Sequence, residues 1–319
     1  MYAARAVGPS GGRAPAVRHR TEHLIEEKHM SVVVTGATGH LGRLIVEGLL
    51  EAGVAPDQVV AGGRRTKRLA DLAGRGVRVV EIDYARPETL AAALAGADTL
   101  MLVSGSEVGQ RVAQHGAAID AARAAGVRRI VYTSAPHADA TELVLAPEHR
   151  ATEELLTASG LVVTVLRNNW YTENYVPTLQ QAAATGQVVA SAGDGRVASA
   201  SRADFAAGAV AVLTSAEHDG RTYELTGDVA WTHDELAAAV GEVLGRPVTY
   251  VRATPDEQRA GLLAAGLHEG TAGFLVALDQ NIAAGTLADV TDTLRTLIGR
   301  PTTPLVDGLR AAWTATTAS

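Results

Sequence analysis

From Ser31 onward the chain alternates short β-branched runs with segments of helical periodicity, and this alternation constrains its fold more than any other feature. "SVVVT" (31–35) gives way to a helical stretch from about His40 to Ala52, then to "QVVAGG" (58–63). A charged helix over Thr66–Ala73 precedes "VRVVEI" (77–82), and "PETLAAALAG" precedes "DTLMLVS" (98–104). A helix from about Val108 to Ala125, the run "RIVYTS" (129–134), a helix carrying "PEHRATEELL" and the run "VVTVL" (162–166) complete the series. Runs that are apolar throughout belong to strands covered on both faces, and intervening helices make such strands parallel. The expected fold class is α/β, a doubly wound parallel sheet.

Beyond Arg167 the rhythm loosens. "RTYELT" (221–226) is expected to rejoin the sheet, while Thr232–Leu244 and Pro255–Ala265 read as helices. Thr232 or Asp234 suits the cap of the first, and Pro255 suits a first helical turn. A smaller, mostly helical C-terminal substrate domain follows from this pattern. The expected division is a nucleotide-binding domain over 31–168, with 200–226 rejoining it, and a substrate side over 169–199 and 227–319. Residues 1–30 are rich in Gly, Pro and Arg and lack the apolar segment of a signal peptide, so they read as a disordered or dispensable extension.

Composition removes several function classes. A net charge of -7 and a pI near 5.8 give no general attraction to nucleic acid or to anionic lipid. With no cysteine, disulfides, thiolate catalysis and cysteine-held metals are excluded, and no HExxH-like cluster suggests another metal site. No apolar run approaches the ~20 residues that span a bilayer. A cytoplasmic protein without membrane or nucleic-acid partners is expected; a homodimer stays open.

Between the first strand and first helix, "VVVTGATGHLGRL" supplies Gly36, Gly39 and Gly42 in a G-x-x-G-x-x-G spacing, with Thr38, His40 and Leu41 between and beside them. Gly36 allows a tight turn and Gly39 lets backbone approach a pyrophosphate. Gly42 lets helix pack close on strand, and the helix start offers free N–H groups. In this strand-turn-helix context the motif reads as a dinucleotide site of Rossmann type. The second strand ends in "GGRRTKR" (62–68), where NAD-specific sites usually carry an acid for the ribose 2′-OH. Arg64, Arg65, Lys67 and Arg68 stand there instead, which suits a 2′-phosphate, so NADPH is expected rather than NADH. Arg64, nearest the strand end, is the expected contact. Asp83 and Tyr84 close the third strand, where an acid can accept from the adenine amino group, although a surface turn explains them nearly as well. Ser104, Gly105 and Ser106 end the fourth strand, where small residues let backbone pass close to ribose and pyrophosphate.

With these residues assembled, the chain resembles the NmrA-like branch of the atypical short-chain dehydrogenase/reductases, and within it the bacterial type 2 NAD(P)H:quinone oxidoreductases. The resemblance rests on "TGATGHLG" (35–42), "SGSEVGQR" (104–111), "YTSAPHADA" (132–140), "EHRATEELL" (148–156), "LRNNWYTENY" (166–175) and "AGDGRVASASRADFAA" (192–207). It implies a Rossmann domain with a small C-terminal domain, substrate held between them, and NADPH-dependent reduction of quinones. Within the matched segments Arg111, Thr133, Asn168 and Asn169 complete the candidate cofactor contacts. Gly105, Pro136 and Asn169 depart from the pattern and leave the substrate range open.

Many reductases of this shape carry Tyr-x-x-x-Lys near the fifth strand, the lysine lowering the pKa of a proton-donating tyrosine. Here His149 and Glu153 hold that spacing. Glu153 would raise a nearby imidazole's pKa, the wrong electrostatic copy of the dyad, so a structural role suits Glu153 better. Quinones accept hydride readily and leave a weakly basic phenolate, so orientation and water exclusion carry more of their catalysis. His149 is a candidate to hydrogen-bond a substrate oxygen, against the alternative of a packed or solvent-facing helix histidine. Ser134, at the fifth strand end, is a candidate for contact with cofactor or substrate, or a turn residue. Trp170, Tyr171 and Tyr175 crowd into one loop of a chain with only twelve aromatic residues. Trp170 and Tyr171, with Asn174, either orient a substrate or staple the two domains together. Two other readings stay open: a non-catalytic NAD(P)-binding redox sensor, and a pathway-specific reductase or isomerase of an aromatic polyketide.

Overall fold

The computed structural model describes residues 1–4, 8 and 31–317, so the expectation for the N-terminal extension lies almost wholly outside the described residues. The chain runs β1 (Val32–Val34), α1 (His40–Glu51), β2 (Val59–Gly63), α2 (Ala70–Gly74), β3 (Arg78–Glu81), α3 (Pro87–Leu94), β4 (Thr99–Leu102) and α4 (Arg111–Ala124). It continues β5 (Arg129–Ser134), α5 (Ala146–Ala158), β6 (Val162–Asn168), α6 (Val176–Thr185), β7 (Gln187–Ala190), β8 (Arg196–Val197), α7 (Arg202–Leu213) and β9 (Thr222–Leu225). The last part holds β10 (Trp231–Thr232), α8 (His233–Leu244), β11 (Thr249–Arg252), α9 (Pro255–Ala264), α10 (Glu269–Ala283), α11 (Thr293–Ile298) and α12 (Leu305–Thr317).

Seven strands form one sheet in the order β3-β2-β1-β4-β5-β6-β9, every neighbouring pair parallel. The uniform apolarity of its central strands has the expected cause. Val32 and Val34 point into a core shared with α1 and α7, whereas Val33 between them points into a core shared with α3, α4 and α5. The same split separates Val131 from Ile130 and Tyr132 in β5. Each such valine, fully withdrawn from water, stabilises the fold by about 1.5–3 kcal/mol, and a polar residue on either face would forfeit that. The strand order reverses between β1 and β4, and the crevice at such a switch point is where open α/β sheets bind ligands.

"RTYELT" does rejoin the sheet: β9 pairs with β6, placing Tyr223 beside Leu166. A third core lies outside the sheet, built from α6, α8, α10 and α12 with the two small sheets β7–β11 and β8–β10. Thr232 caps α8 in a reciprocal capping box with Glu235, and Thr254 caps α9 in the same way with Glu257, ahead of Pro255. One C-terminal helix does not join that lobe. Leu294 of α11 reaches the core of α1 and α7, where Gly208 of α7 leaves room for it. No helix among the described residues is long and apolar enough to cross a membrane.

Candidate active site

The glycine loop lies at the C-terminal end of β1, at the switch point. Gly36 has φ 63°, a left-handed conformation that costs glycine little, and the Ala37 N–H donates to the Gly62 carbonyl at 2.9 Å. A Cβ on Gly42 would overlap the Gly36 carbonyl, so only glycine lets α1 begin this close to β1. No side chain caps α1, and His40, Leu41 and Gly42 of its first turn border the cleft. Uncapped amides at the positive end of a helix dipole suit a phosphate.

The cleft brings together Gly36, Thr38, Gly39, His40, Leu41 and Gly42 with Arg64, just past β2, and Asp83 and Tyr84, just past β3. Ser104, Gly105 and Ser106 line its far end. Tyr84 donates its hydroxyl inward, with Thr35 Oγ1 at 2.8 Å and the Val103 carbonyl at 3.0 Å, so its ring rather than its OH faces the cleft. Asp83 Oδ1 accepts from the Ala85 N–H at 3.1 Å, a turn contact.

Thr133 and Arg111 do not line the cleft; they hold its wall from behind. Thr133 Oγ1 accepts from the Ser104 N–H at 2.9 Å, and Arg111 Nε donates to the Gly105 carbonyl at 2.6 Å. His115, which carried no signal in the sequence, does the same work. Its Nε2 accepts from the Gly105 N–H at 3.0 Å, which leaves Nδ1–H to donate to Thr152 Oγ1 at 3.0 Å. That tautomer requires a neutral ring, and burial, followed by the Arg111 charge, pushes the His115 pKa down to about 4. Rings then step inward edge to face from Tyr84 to His115 to Tyr132.

His149 ends this series, in the packed interior that was the alternative to a substrate contact. Only 5% exposed, it turns Nδ1 to the Tyr132 hydroxyl at 2.8 Å. Burial, then the charges of Arg111 and His115, pushes its pKa down to about 3, so it is a neutral interior ring. Glu153 does not act on it. Glu153 instead accepts from Ser134 Oγ at 2.6 Å and from Arg167 Nη2 at 2.6 Å, and Arg167 also pairs with Asp139 and Glu224 at 2.8 and 3.0 Å. Ser134 therefore spends its hydroxyl on this network. The reason is geometric: His149 and Glu153 lie one turn apart on the face of α5 that packs on β5 and β6, so both are drawn into the interior.

The aromatic loop after β6 also turns inward. Asn169 uses both ends of its amide, donating to the Leu287 carbonyl at 3.3 Å and accepting from the Trp170 N–H at 2.7 Å. Trp170 packs half-buried on the C-terminal lobe, and Tyr175 lies within it against Trp231. Asn168 donates to the Tyr171 hydroxyl at 3.3 Å, while its Oδ1 is buried without a partner among the described residues. Tyr171 packs edge-on to Phe205, 5.3 Å between ring centres. Neither Asn168 nor Asn169 is among the residues that border the cleft; Asn169 ties β6 to the C-terminal lobe through Leu287, and Asn168 anchors Tyr171.

Arg65 of the basic turn lines the cleft as well, together with residues that gave no individual signal: Glu107, Gln114 and Arg202. Glu107 is brought from the β4–α4 loop to pair with Arg64 at 2.6 Å. The Gln114 amide, then Arg64, holds its carboxyl below the usual range. Both partners are exposed, and such pairs contribute little, so a phosphate can displace this one. The donor set, uncapped helix amides beside two arginines at the end of β2, fits a phosphorylated dinucleotide. Among the described residues no cluster of side chains could hold a metal ion.

Residues 36–216 match a family model described as NAD(P)H-binding. Quinone oxidoreductase 2 of Escherichia coli K12 is 44% identical over 278 residues, covering 87% of this chain and 97% of that protein. A crystal structure of the NADPH-dependent quinone oxidoreductase QOR2 of E. coli complexed with NADPH superposes with a TM-score of 0.84 at 44% identity, covering 88% of this chain and 99% of that one. The Citrobacter triphenylmethane reductase complexed with NADP(H) gives 0.84 at 36% identity, covering 88% and 100%. The chain thus belongs to the NAD(P)H-binding family, in the NmrA-like branch that its motifs resemble.

Proposed function

We propose that the protein is an NADPH-dependent oxidoreductase that reduces quinones by direct hydride transfer without a Tyr-Lys dyad. The observation that carries this reading is the closed state of α5: His149 is bonded to Tyr132 and Glu153 to Ser134 and Arg167, so neither position offers a proton to the cleft. An ordinary ketone would leave an unassisted alkoxide there. A quinone does not need that help, since its product anion is a stable phenolate that solvent protonates. When bound, NADPH would supply the hydride, and with one proton from solvent the quinone would become a hydroquinone. The chain's own part is to hold, orient and exclude water: the α1 amides take phosphate, and the 104–106 wall is fixed from behind by Thr133, His115 and Arg111. Preference for NADPH rests on Arg64 and Arg65 at the end of β2, with no acid in the adjoining turn. The substrate side is assigned to 169–199 and 227–319, apart from α11. Similarity to a quinone reductase over nearly its whole length supports the same reading.

The test is oxidation of NADPH and of NADH against matched quinones, enones and simple ketones. Quinone turnover with NADPH, and ketone turnover at least a hundredfold slower, is expected. Comparable ketone turnover would overturn the mechanism, a preference for NADH would overturn the cofactor assignment, and dinucleotide binding without turnover would make the protein a sensor.

A further inference from the structure

Two cavities flank the glycine loop, and both are bordered by Thr38, Gly39, His40, Arg65 and Arg202. Arg202 comes from far along the chain, at the start of α7, yet it reaches the start of α1. It is held there with care. Its guanidinium lies 5.1 Å from the centre of the Tyr171 ring, and Nη2 donates to Asn174 Oδ1 at 2.8 Å. Its own N–H donates to both carboxylate oxygens of Glu173, at 2.9 and 3.1 Å. Two residues of the loop after β6 thus hold the side chain, and a third, Glu173, fixes the backbone from which it projects.

The electrostatics are unbalanced as they stand. Arg64 on the same cleft is paired with Glu107, but no carboxylate among the described residues lies within ion-pair distance of the Arg202 guanidinium. It borders the uncapped start of α1 together with Arg65, while the carboxylates of the second cavity are already engaged, Glu47 by Arg43 and Glu173 by the Arg202 N–H. Like charges brought together at a pre-oriented site cost free energy, and a bound anion reverses the sign of that cost.

We propose that Arg202 is the second jaw of the pyrophosphate site: the α1 amides hold one side of the dinucleotide's pyrophosphate and the Arg202 guanidinium closes on the other. The proposal rests on the NAD(P)H assignment, not on the quinone chemistry. It also gives Tyr171 and Asn174 a role, as positioning residues for Arg202.

The test is titration calorimetry of NADPH and NADH binding to the full chain, for the wild type and for Arg202→Met, Arg202→Lys and Asn174→Ala. The two dinucleotides share the pyrophosphate and differ only in the 2′-phosphate. Loss of a charge-assisted contact predicts Arg202→Met binding both about 10–100-fold more weakly, by the same factor. Arg202→Lys should recover part of that, and Asn174→Ala should lose about 3–10-fold on both, with circular dichroism unchanged. Unchanged affinity in Arg202→Met and Arg202→Lys would overturn the proposal, as would a loss confined to NADPH, which would place Arg202 on the 2′-phosphate. Turnover is not read, so a wild type that binds both dinucleotides but reduces no quinone would sink the proposed activity and leave this inference standing.

Discussion

His149 occupies a position that in dyad reductases faces substrate, and here it faces a tyrosine. Its contribution is therefore to stability. His149→Ala would remove the partner of a buried hydroxyl and open space beside it. An unsatisfied buried group costs about 1–3 kcal/mol, and the lost packing adds to that. We expect His149→Ala to lower the unfolding free energy by about 2–4 kcal/mol, read by urea denaturation, with NADPH affinity unchanged and quinone turnover within about threefold once folded. Adding Tyr132→Phe to that background should cost little further, because the stranded hydroxyl goes with it. A large fall in turnover at unchanged stability would restore His149 to the chemistry. Its surroundings were legible only in part: spacing placed His149 and Glu153 on one helix face, but which side of the sheet that face met depended on where α5 docked.

At the scale of elements, the joint between β1 and α1 governs cofactor binding. Replacing glycine by alanine inside a helix normally stabilises it by about 1 kcal/mol. At Gly42 the added methyl would overlap the Gly36 carbonyl and force α1 away from the sheet, a cost of about 1–3 kcal/mol that outweighs the propensity gain. Gly42→Ala should thus lower the melting temperature and weaken NADPH binding at least about tenfold, since the displaced amides are the phosphate donors. Unaltered affinity, measured by fluorescence titration, would mean that the helix start does not hold the cofactor. This element was readable in advance because each of its glycines answers a local steric demand. The loop after β6 was not: aromatic rings and amides have the same residue types whether they hold a substrate or staple two lobes.

Across the whole molecule, the three buried histidines among the described residues set the acid limit. His115 and His233 are pushed down to about 4 and His149 to about 3, in each case by burial first. In the unfolded chain all three protonate near pH 6.5. Below that pH the unfolded state binds more protons than the folded one, so stability is complete above pH 6.5 and falls as pH drops toward 4. Each histidine contributes a slope of about 1.4 kcal/mol per pH unit in that window. Asp279, its pKa raised by burial, acts in the opposite sense, but one carboxyl does not offset three imidazoles. The melting temperature should change little between pH 7 and 8 and fall steeply between pH 6 and 4.5, and His115→Asn should flatten the fall. A melting temperature constant down to pH 4.5 would contradict the buried, neutral state of these rings.

What the amino-acid order determined by itself was whatever depends on neighbours along the chain. Apolar β-branched runs between amphipathic stretches specify a parallel sheet, the glycine spacing specifies a turn into an exposed helix start, and the basic turn after β2 specifies an anion. Tertiary structure alone decided everything that depends on which faces meet. It drew His149 and Glu153 into closed networks, brought Glu107 to Arg64, set His115 behind the 104–106 wall, and carried Arg202 to the start of α1. Those contacts join residues ten or more positions apart, and their geometry follows from the packing of α4, α5 and α7 on the sheet, which no local pattern encodes.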